Sequence, residues 1–356
     1  MEKMLPLEEK NMKEKHIKSF LMTTMNGMVY GLFATLIIGV IIRQFGTLLN
    51  IPLLVNQIWP ALSGMLGVGI GLGIGLSLKA SGLRLVVISV MGGIASSFTL
   101  LLDGTLATGA IANEPLKIYL VTIGGILLIN RILVKKTPFD ILLIPLTGVV
   151  LAILLTLVIG GPVRFMIDQI QLGIAWAMDV AAIPMTIIIA VVMGMLLTAP
   201  ISSAAIAIAI NLGGLAGGAA FIGCSVQMIG FAIHSRKDNT IGVVLSIAFG
   251  TSMLQFKNIM RKPIIWLPTI IASAILAPIS YLFFKNETSA AGAGMGTSGL
   301  VGPLQTLEAM RYSATAWMVV AYTVLGAIVL VYALDRLFRK LAWIEKGDFM
   351  VGRDIT

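Results

Sequence analysis

The stretch GAGMGTSGLVG, Gly292 to Gly302, decides between two fold classes. Its glycine spacing resembles the dinucleotide-binding fingerprint, which needs a strand before it and a helix after it in a βαβ unit. Both flanks instead carry apolar runs long enough to cross a bilayer, at residues 263–284 and 314–336. The sequence therefore predicts a glycine-rich loop within a membrane domain, with its backbone groups and hydroxyls facing protein or a cavity.

The composition indicates a polytopic helical membrane protein. Hydrophobic residues make up 58% of the 356 residues and charged residues 12%, with a mean hydropathy of +0.99. Since a bilayer core about 30 Å thick takes about 20 apolar residues per helix, we predict an all-α fold with about ten transmembrane helices plus re-entrant hairpins. The predicted windows lie near residues 28–49, 58–78, 83–102, 116–134, 141–160, 183–199, 203–233, 239–255, 263–284 and 314–336.

The basic residues set the predicted topology. The net charge of +9 comes from short Lys and Arg clusters between the apolar windows, such as those at residues 10–18, 257–262 and 336–340. These clusters form no continuous basic face, which argues against a nucleic-acid partner, and the positive-inside rule places them in the cytosol. We predict a multi-pass protein of the bacterial inner membrane with both termini cytoplasmic and the loop of Asp103 and Glu114 outside.

Two segments fit this scheme less simply. VRFMIDQIQLGIAWAMDVAAI, residues 163–183, mixes charges and glutamines with large apolar residues, which predicts a separate interfacial or broken amphipathic helix between two halves. The count of crossings places HSRKDN, residues 234–239, outside, although Arg236 and Lys237 favour the cytosol. The window before it, 203–233, is long enough to contain a break or a re-entrant element.

Polar residues within the apolar windows are candidate site residues, because a polar group at membrane depth must face protein or a cavity. Around Pro200, TAPISSAAI predicts a broken helix whose new N-terminus can bind an oxygen-rich or anionic ligand. A proline kink stabilised by Ser hydroxyls is the alternative. The unit Gly-Thr-Ser occurs at both Gly250 and Gly296, so two hydroxyl-rich breaks can meet at one pocket. The candidate solute-binding residues are Ser202, Ser203, Asn211, Gln227, Thr251, Ser252, Gly296, Thr297 and Ser298.

The two glycine-rich runs receive different interpretations. The loop at residues 292–302 is interpreted as a re-entrant loop that lines the pocket, where Thr297 and Ser298 can hydrogen-bond a sugar. A flexible external linker is the alternative for this loop. The run GMLGVGIGLGIGLSLKASG, Gly64 to Gly82, places small residues every two to four positions, which predicts close helix packing or local unwinding.

Residues for covalent chemistry are sparse in the sequence. Cys224 is the single cysteine, which excludes an intramolecular disulfide or a CxxC site, and His16 and His234 are the only histidines. No Ser/His/Asp set, nucleotide P-loop or metal motif occurs. We therefore expect no metal, no cofactor and no catalytic residues of its own.

Five segments carry a resemblance to a known family: MNGMVYGLFATLI, MGMLLTAPISSAAIAIAI, GLAGGAAFIGCSVQMIGFA, FGTSMLQFKNIMRKPIIWLPTIIASAILAPI and GAGMGTSGLVGP. Together they resemble the membrane-embedded EIIC component of the bacterial phosphotransferase system (PTS), in the branch that includes the PfoR-type regulators. The resemblance extends from about Asn26 to Tyr332.

The resemblance implies a homodimeric permease that works by elevator-type alternating access, with a scaffold that holds the dimer and a part that carries the sugar. It suggests a cytosolic amphipathic segment at 1–25, a scaffold-like part at 26–167, a substrate-binding part with re-entrant loops at 168–336 and a cytosolic tail at 337–356. The sugar would be phosphorylated by EIIB, which receives its phosphate through EIIA. Since the sequence shows no appended EIIA or EIIB domain, these partners are expected to be separate chains.

Three functions remain open from the sequence. The leading one is an EIIC-like sugar permease with phosphorylation supplied by a separate EIIB. The Glu-bearing hairpin motif and the sugar-site histidine of glucose-type EIIC proteins have no confident match here, which leaves a phosphotransfer-independent carrier of an anionic or polar solute as an alternative. The third is a PfoR-like membrane-bound sensor that regulates gene expression, whose basic tail, Arg336 to Lys346, docks a protein or anionic lipid.

Overall fold

The computed structural model describes residues 7–109, 111–133, 137–178 and 181–351, and these are mostly helical. Two short strands form an antiparallel hairpin with Thr99 opposite Ala107. The elements are α1 (Leu7–Leu32), α2 (Ile38–Leu48), α3 (Trp59–Gly64), α4 (Leu66–Ser77), α5 (Gly82–Ser97), β1 (Thr99–Leu100), β2 (Leu106–Ala107), α6 (Pro115–Ile132), α7 (Asp140–Met178), α8 (Ala182–Thr198), α9 (Ser203–Ala209), α10 (Gly214–Ser235), α11 (Ile241–Phe249), α12 (Phe256–Arg261), α13 (Leu267–Phe284), α14 (Ala290–Ala293), α15 (Val301–Ala309) and α16 (Ala314–Lys340), with π-helical turns at Phe33–Ile37 and Leu54–Ile58 and 3₁₀ turns at Ser252–Gln255, Pro263–Trp266 and Ser298–Leu300.

Fewer helices than predicted meet the length and hydropathy needed to cross a bilayer. Six of the described helical segments do so, and the pair of segments Leu54–Gly64 and Leu66–Ser77, bent by 44°, makes a seventh if it is one span. Two further apolar helices, α5 and α8, are shorter than a full crossing. The protein is thus a polytopic helical membrane protein, while the predicted number of about ten crossings is not reached by these criteria.

The long helix α7 corrects the prediction for residues 163–183. It contains Pro145 and Pro162 and still runs without a break from Asp140 to Met178. A proline removes one backbone hydrogen bond, and the ion pair of Arg164 with Asp168 spans the turn that follows Pro162. Residues 163–178 of the amphipathic segment are therefore a continuation of the preceding apolar helix, and residues 179–180 lie outside the described residues. At 39 residues α7 is about 58 Å long, well beyond the hydrocarbon core.

The glycine-rich run at 64–82 packs α4 between two other helices, which confirms the prediction of close packing. Gly69 and Gly73 lie against α1, while Gly67 and Gly71 lie on the opposite face against α5. A Cβ atom on Gly73 would lie 2.0 Å from the carbonyl oxygen of Gly27. No side chain fits there, so the alternation of glycines in α4 serves two backbone contacts at once.

The apolar side chains form two main cores that meet along α7. One core joins α1, α4, α5 and α6, and it also includes Met253 from the break after α11. The other joins α7, α8, α10, α13 and α16, with α10 the most deeply buried of them. The boundaries predicted at 25/26, 167/168 and 336/337 each fall within a continuous helix, and residues 1–6 and 352–356 lie outside the described residues.

The segment after α16 folds back onto the end of α10. The ring of Phe349 stacks on His234 at 5.0 Å between centroids and 5° between planes. The carbonyl oxygen of Phe349 accepts hydrogen bonds from Asn239 Nδ2 at 2.7 Å and Gln255 Nε2 at 2.9 Å. Lys262 Nζ lies 2.8 Å from the carboxylate of Asp348. The end of α10 and the start of α13 are therefore on the same side of the protein as the tail.

This contact corrects the predicted position of HSRKDN. Residues 234–239 and 345–351 were predicted on opposite sides of the membrane, yet Asp238 accepts hydrogen bonds from the backbone of Gly347 and Phe349. Asn258 also donates to the carbonyl of Met350 at 3.1 Å. The chain between 240 and 257 thus leaves this end and returns to it as a re-entrant hairpin rather than a crossing. Arg236 and Lys237 then lie with the other basic clusters, as the positive-inside rule favours.

A second re-entrant hairpin enters from the opposite end. Helices α13 and α16 are antiparallel, because Leu276 packs on Gly326 and the rings of Phe284 and Tyr322 lie 5.3 Å apart. The chain from 285 to 313 therefore begins and ends at the far side. Its first residues are fixed to the start of α10 by paired backbone hydrogen bonds between Gly214 and Thr288.

The docking of the tail gives a testable expectation for Asn239. Its side chain binds the carbonyl of Phe349 and accepts from the backbone N–H of Val351 at 2.8 Å. The substitution Asn239→Ala is expected to weaken tail docking by about 1–2 kcal/mol, with faster limited proteolysis within residues 345–351. The exposed neighbour Lys237→Ala is the control, and equal proteolysis of both variants would contradict the assignment.

Candidate functional site

The tips of the two re-entrant hairpins meet beside the middle of α10. Thr297 Oγ1 donates to the carbonyl of Ala248 at 2.5 Å, and Ser298 Oγ donates to the carbonyl of Gly250 at 2.8 Å. The two Gly-Thr-Ser breaks are therefore in direct contact with each other. In this arrangement the hydroxyls of Thr297 and Ser298 bind backbone oxygens of the facing hairpin.

Two features of the glycine-rich loop require glycine: its positive φ angles and its close approach to α10. Gly296 and Gly299 have φ values of +52° and +53°, in the left-handed region that glycine adopts readily. A Cβ atom on Gly296 would lie 2.7 Å from the backbone of Cys224 in α10. The loop therefore approaches the α10 backbone more closely than any other residue type permits. Because the loop packs on a transmembrane helix, it is not a flexible external linker.

A buried cluster of uncharged polar side chains surrounds Gln227, next to this contact. Gln227 Oε1 lies 3.0 Å from Trp266 Nε1, 3.0 Å from Thr269 Oγ1 and 3.5 Å from Thr198 Oγ1. Thr198 Oγ1 is also 2.8 Å from Ser252 Oγ, in the tip of the first hairpin. Side chains from α8, α10, the first hairpin and the start of α13 thus converge at one point.

The amide group of Gln227 leaves a donor available. An indole N–H can only donate, so the atom facing Trp266 is the amide oxygen and the orientation of the amide is fixed. The side chain is fully buried, and Nε2 has no hydrogen-bond partner among the described residues. Because an unpaired buried donor costs about 1–3 kcal/mol, this nitrogen is suited to a ligand oxygen.

The break around Pro200 has the form that the sequence predicts. Helix α8 ends at Thr198 and α9 begins at Ser203, and the Ser202 hydroxyl accepts from the backbone N–H of Ala205 at 3.4 Å. Ser203 Oγ donates to the carbonyl of Gly294 at 2.6 Å. Ser202 is therefore a helix cap, and Ser203 joins this break to the second hairpin.

The other candidate residues divide by position. Thr251 Oγ1 accepts from the backbone N–H of Met253 at 3.1 Å and so caps the 3₁₀ turn in the first hairpin. Asn211 is exposed in the turn between α9 and α10, with φ at 50°, about 20 Å along α10 from Gln227. The structure does not bring Asn211 to the site. The residues that lie at or beside the meeting point are Ser202, Ser203, Gln227, Thr251, Ser252, Gly296, Thr297 and Ser298.

An apolar recess lies on the opposite side of the hairpin tips, against α2. It has a cavity volume of about 200 Å³, which is smaller than that of most small-molecule sites. Phe249, Gly299 and Leu300 contribute from the hairpins, and Gln44 is the one polar residue among those that line it. Its chemistry suits an apolar occupant better than a sugar.

Four residues of functional interest were not singled out from the sequence. Thr198, Trp266 and Thr269 bind the oxygen of Gln227, although each is an ordinary residue at the end of an apolar helix. Glu114 is assigned above to an outside loop, yet it is buried and binds Ser202. The sequence does contain a signal for this site: Glu114 directly precedes a membrane helix, and Lys117 follows three residues later.

Two re-entrant hairpins that meet beside the buried amide of Gln227 are an arrangement found in polytopic solute transporters. The family model described as phosphotransferase system, EIIC matches residues 22–351, nearly the whole chain. The chain therefore belongs to the EIIC family, the sugar-permease-like membrane components of the PTS, which handle a solute together with EIIB and EIIA components. No curated protein and no solved structure matches the chain.

Proposed function

We propose that this chain is a PTS sugar permease that binds a neutral polar solute at the amide of Gln227. The observation that carries this proposal is the buried Nε2 without a partner where the hairpin tips meet. The residues around it, Thr198, Ser252, Trp266 and Thr269, are all uncharged. This lining favours a hydroxyl-rich sugar over an anion, because a buried anion needs a charged or multiply donating partner.

The two main apolar cores correspond to the two parts of the proposed transport cycle. The part before about residue 168 would be the scaffold and hold a homodimer, and the part after it would move the site across the inner membrane in an elevator-type cycle. Gln227, Thr198 and Ser252 are fully buried, so this arrangement corresponds to a closed state. A separate EIIB would then phosphorylate the sugar at the cytoplasmic side, where both termini, residues 234–239 and the docked tail would lie.

Thermal stabilisation of the purified protein tests the proposal. A ligand stabilises by about RT ln(1 + [L]/Kd), which is about 2.7 kcal/mol at a hundredfold excess over Kd. The panel contains free sugars, sugar phosphates and small anions, and a free sugar is expected to stabilise. Stabilisation by anions or phosphorylated compounds alone would instead identify a phosphotransfer-independent carrier. A stabilising sugar without uptake into vesicles that are supplied with EIIA and EIIB would assign the protein to the PfoR-type sensors.

The substitution Gln227→Glu is expected to lower solute affinity at least about tenfold, which corresponds to one hydrogen bond of about 1.4 kcal/mol. Glutamate keeps an oxygen for Trp266 and Thr269, but it replaces the two amide N–H donors. The measurement is the solute concentration that gives half-maximal thermal stabilisation. Gln169→Glu, on an exposed part of α7, is the matched control. Equal affinities in the two variants would remove Gln227 from the site.

A further inference from the structure

Glu114 connects the first core to the broken helix of the second. It lies directly before α6, and its side chain is 6% exposed. Its Oε1 accepts a hydrogen bond from the backbone N–H of Ser202 at 3.1 Å. Ser202 caps α9, and the next residue, Ser203, binds the carbonyl of Gly294 in the second hairpin. The Glu114 carboxyl thus contacts the break around Pro200, which is in turn bonded to the second hairpin.

The surroundings of Glu114 compensate its charge only in part. Lys117, 1% exposed, donates from Nζ to the carbonyl of Phe98 at 2.7 Å and approaches Thr99 Oγ1 at 2.6 Å. Its hydrogen bonds therefore go to the turn after α5, and it acts on Glu114 only through space. Arg164 on α7 acts on Glu114 in the same way. These are the charged groups that face the carboxyl from its own helix and from α7.

Burial raises the pKa of the Glu114 carboxyl to about 7, against the opposing effects of the Ser202 amide, Lys117 and Arg164. A neutral carboxyl group can keep its hydrogen bond to Ser202 through its carbonyl oxygen without a buried charge. If movement of the second part admits water to the group, its pKa returns towards the ordinary glutamate value of 4.5. The closed arrangement therefore binds a proton more tightly than an arrangement in which Glu114 is hydrated.

We propose that Glu114 is a proton-linked latch: proton binding at this carboxyl stabilises the closed arrangement that buries it, although the Ser202 amide by itself favours the ionised form, and release of the proton accompanies movement of the second part. The inference rests on the proposed two-part transport cycle. It adds a proton as a ligand of the protein, at a position separate from the Gln227 cluster. Glu114 is a positioning residue in this scheme, because it acts on the solute site through Ser202 and Ser203.

The sign of the pH dependence follows from linkage. The Glu114 carboxyl has its higher pKa in the closed state, so low pH favours the closed state. The population of the open state rises as the pH increases from 4.5, the ordinary pKa of glutamate, to about 7, the pKa in the closed state. If release hydrates the carboxyl fully, the ratio of open to closed protein is expected to rise about tenfold between about pH 6 and about pH 8. The gain ends above this range, where both states are ionised.

Distance measurements by electron paramagnetic resonance test the latch without any knowledge of the solute. Spin labels on Leu120→Cys in α6 and Ile208→Cys in α9 occupy exposed positions of the two parts, and Cys224 is buried and protected from the reagent. The expected result is an increase of about tenfold in the ratio of long to short distances between about pH 6 and about pH 8. A ratio that does not change with pH in the otherwise wild-type protein overturns the proposal.

Variants assign the response to Glu114. The substitution Glu114→Gln keeps an acceptor for Ser202 and cannot ionise, so its distance ratio is expected to be independent of pH. The control Asp103→Asn changes an exposed carboxylate that binds only Thr105 in the preceding turn, and it should keep the full response. A persistent response in Glu114→Gln also overturns the latch. Failure to find any stabilising solute would count against the proposed function alone, since these distances are measured without solute.

Discussion

Replacing Gly73 by valine is expected to destabilise the membrane domain by about 3 kcal/mol. The Cβ position on Gly73 lies 2.0 Å from the carbonyl oxygen of Gly27, and that atom belongs to a helix backbone that cannot rotate away. Accommodating the side chain requires α1 and α4 to separate. Separation also loosens the contacts of Gly69 with Gly31 one turn further along. The effect of the substitution thus extends over the whole α1–α4 interface.

Gly173→Val is the matched control for this prediction. Gly173 also lies within a helix, α7, but nothing lies within 4 Å of its Cβ position. Since valine is the slightly better helix former, this variant is expected to stay within about 0.5 kcal/mol of the parent. The measurement is an unfolding titration with a denaturing detergent in mixed micelles. Similar midpoints for both variants would show that the α1–α4 contact contributes little to stability.

The close packing of α4 could be predicted from its glycine pattern, because small residues let helix backbones approach each other. Small residues at two to four positions apart in α4 allow few arrangements other than helices in contact. The glycine-rich loop at 292–302 was readable for a related reason: apolar runs on both sides excluded a nucleotide-binding unit. In both cases the sequence carries the steric information locally.

The topology could not be counted from hydropathy, because a re-entrant hairpin and a crossing have similar composition. Residues 239–255 are as apolar as a span, but α11 ends at Gly250, and the chain turns back through the 3₁₀ turn at Ser252–Gln255. Counting this window as a crossing placed HSRKDN on the side opposite the tail. The contacts of Asp238 and Asn239 with the tail show the error.

The sequence predicts which residue types belong to the candidate site, but not which side chains contact each other there. Gln227 and Asn211 are both polar amides next to apolar residues, and the sequence does not distinguish them. The difference is three-dimensional: Gln227 faces Trp266 and Thr269 across a helix interface, whereas Asn211 occupies a turn. The hydroxyls of Thr297 and Ser298 were predicted for a solute, yet here they fasten one hairpin to the other.

The buried carboxylate of Asp335 gives the second large effect. It is fully buried in α16 and is contacted by His234 Nδ1 at 2.8 Å, Arg339 Nε at 2.9 Å and Arg236 at 3.1 Å. It therefore joins α16 to the end of α10, beside the His234 ring on which Phe349 stacks. The substitution Asp335→Asn leaves two guanidinium groups without their counter-charge. Breaking a buried pair in this way typically costs about 3–5 kcal/mol, and we expect the lower end because both arginines are partly exposed.

A second, more exposed ion pair serves as the control for this prediction. Arg164 and Asp168 are also bonded, but the Asp168 side chain is 42% exposed, so Asp168→Asn is expected to cost less than about 1 kcal/mol. Detergent unfolding measures both variants, and limited proteolysis reports on the tail. Asp335→Asn should lower the midpoint and expose residues 345–351 together, because Asp335 binds and orients the His234 ring on which Phe349 stacks. A lowered midpoint with the tail still protected would show that Asp335 stabilises the helix pair without holding the tail.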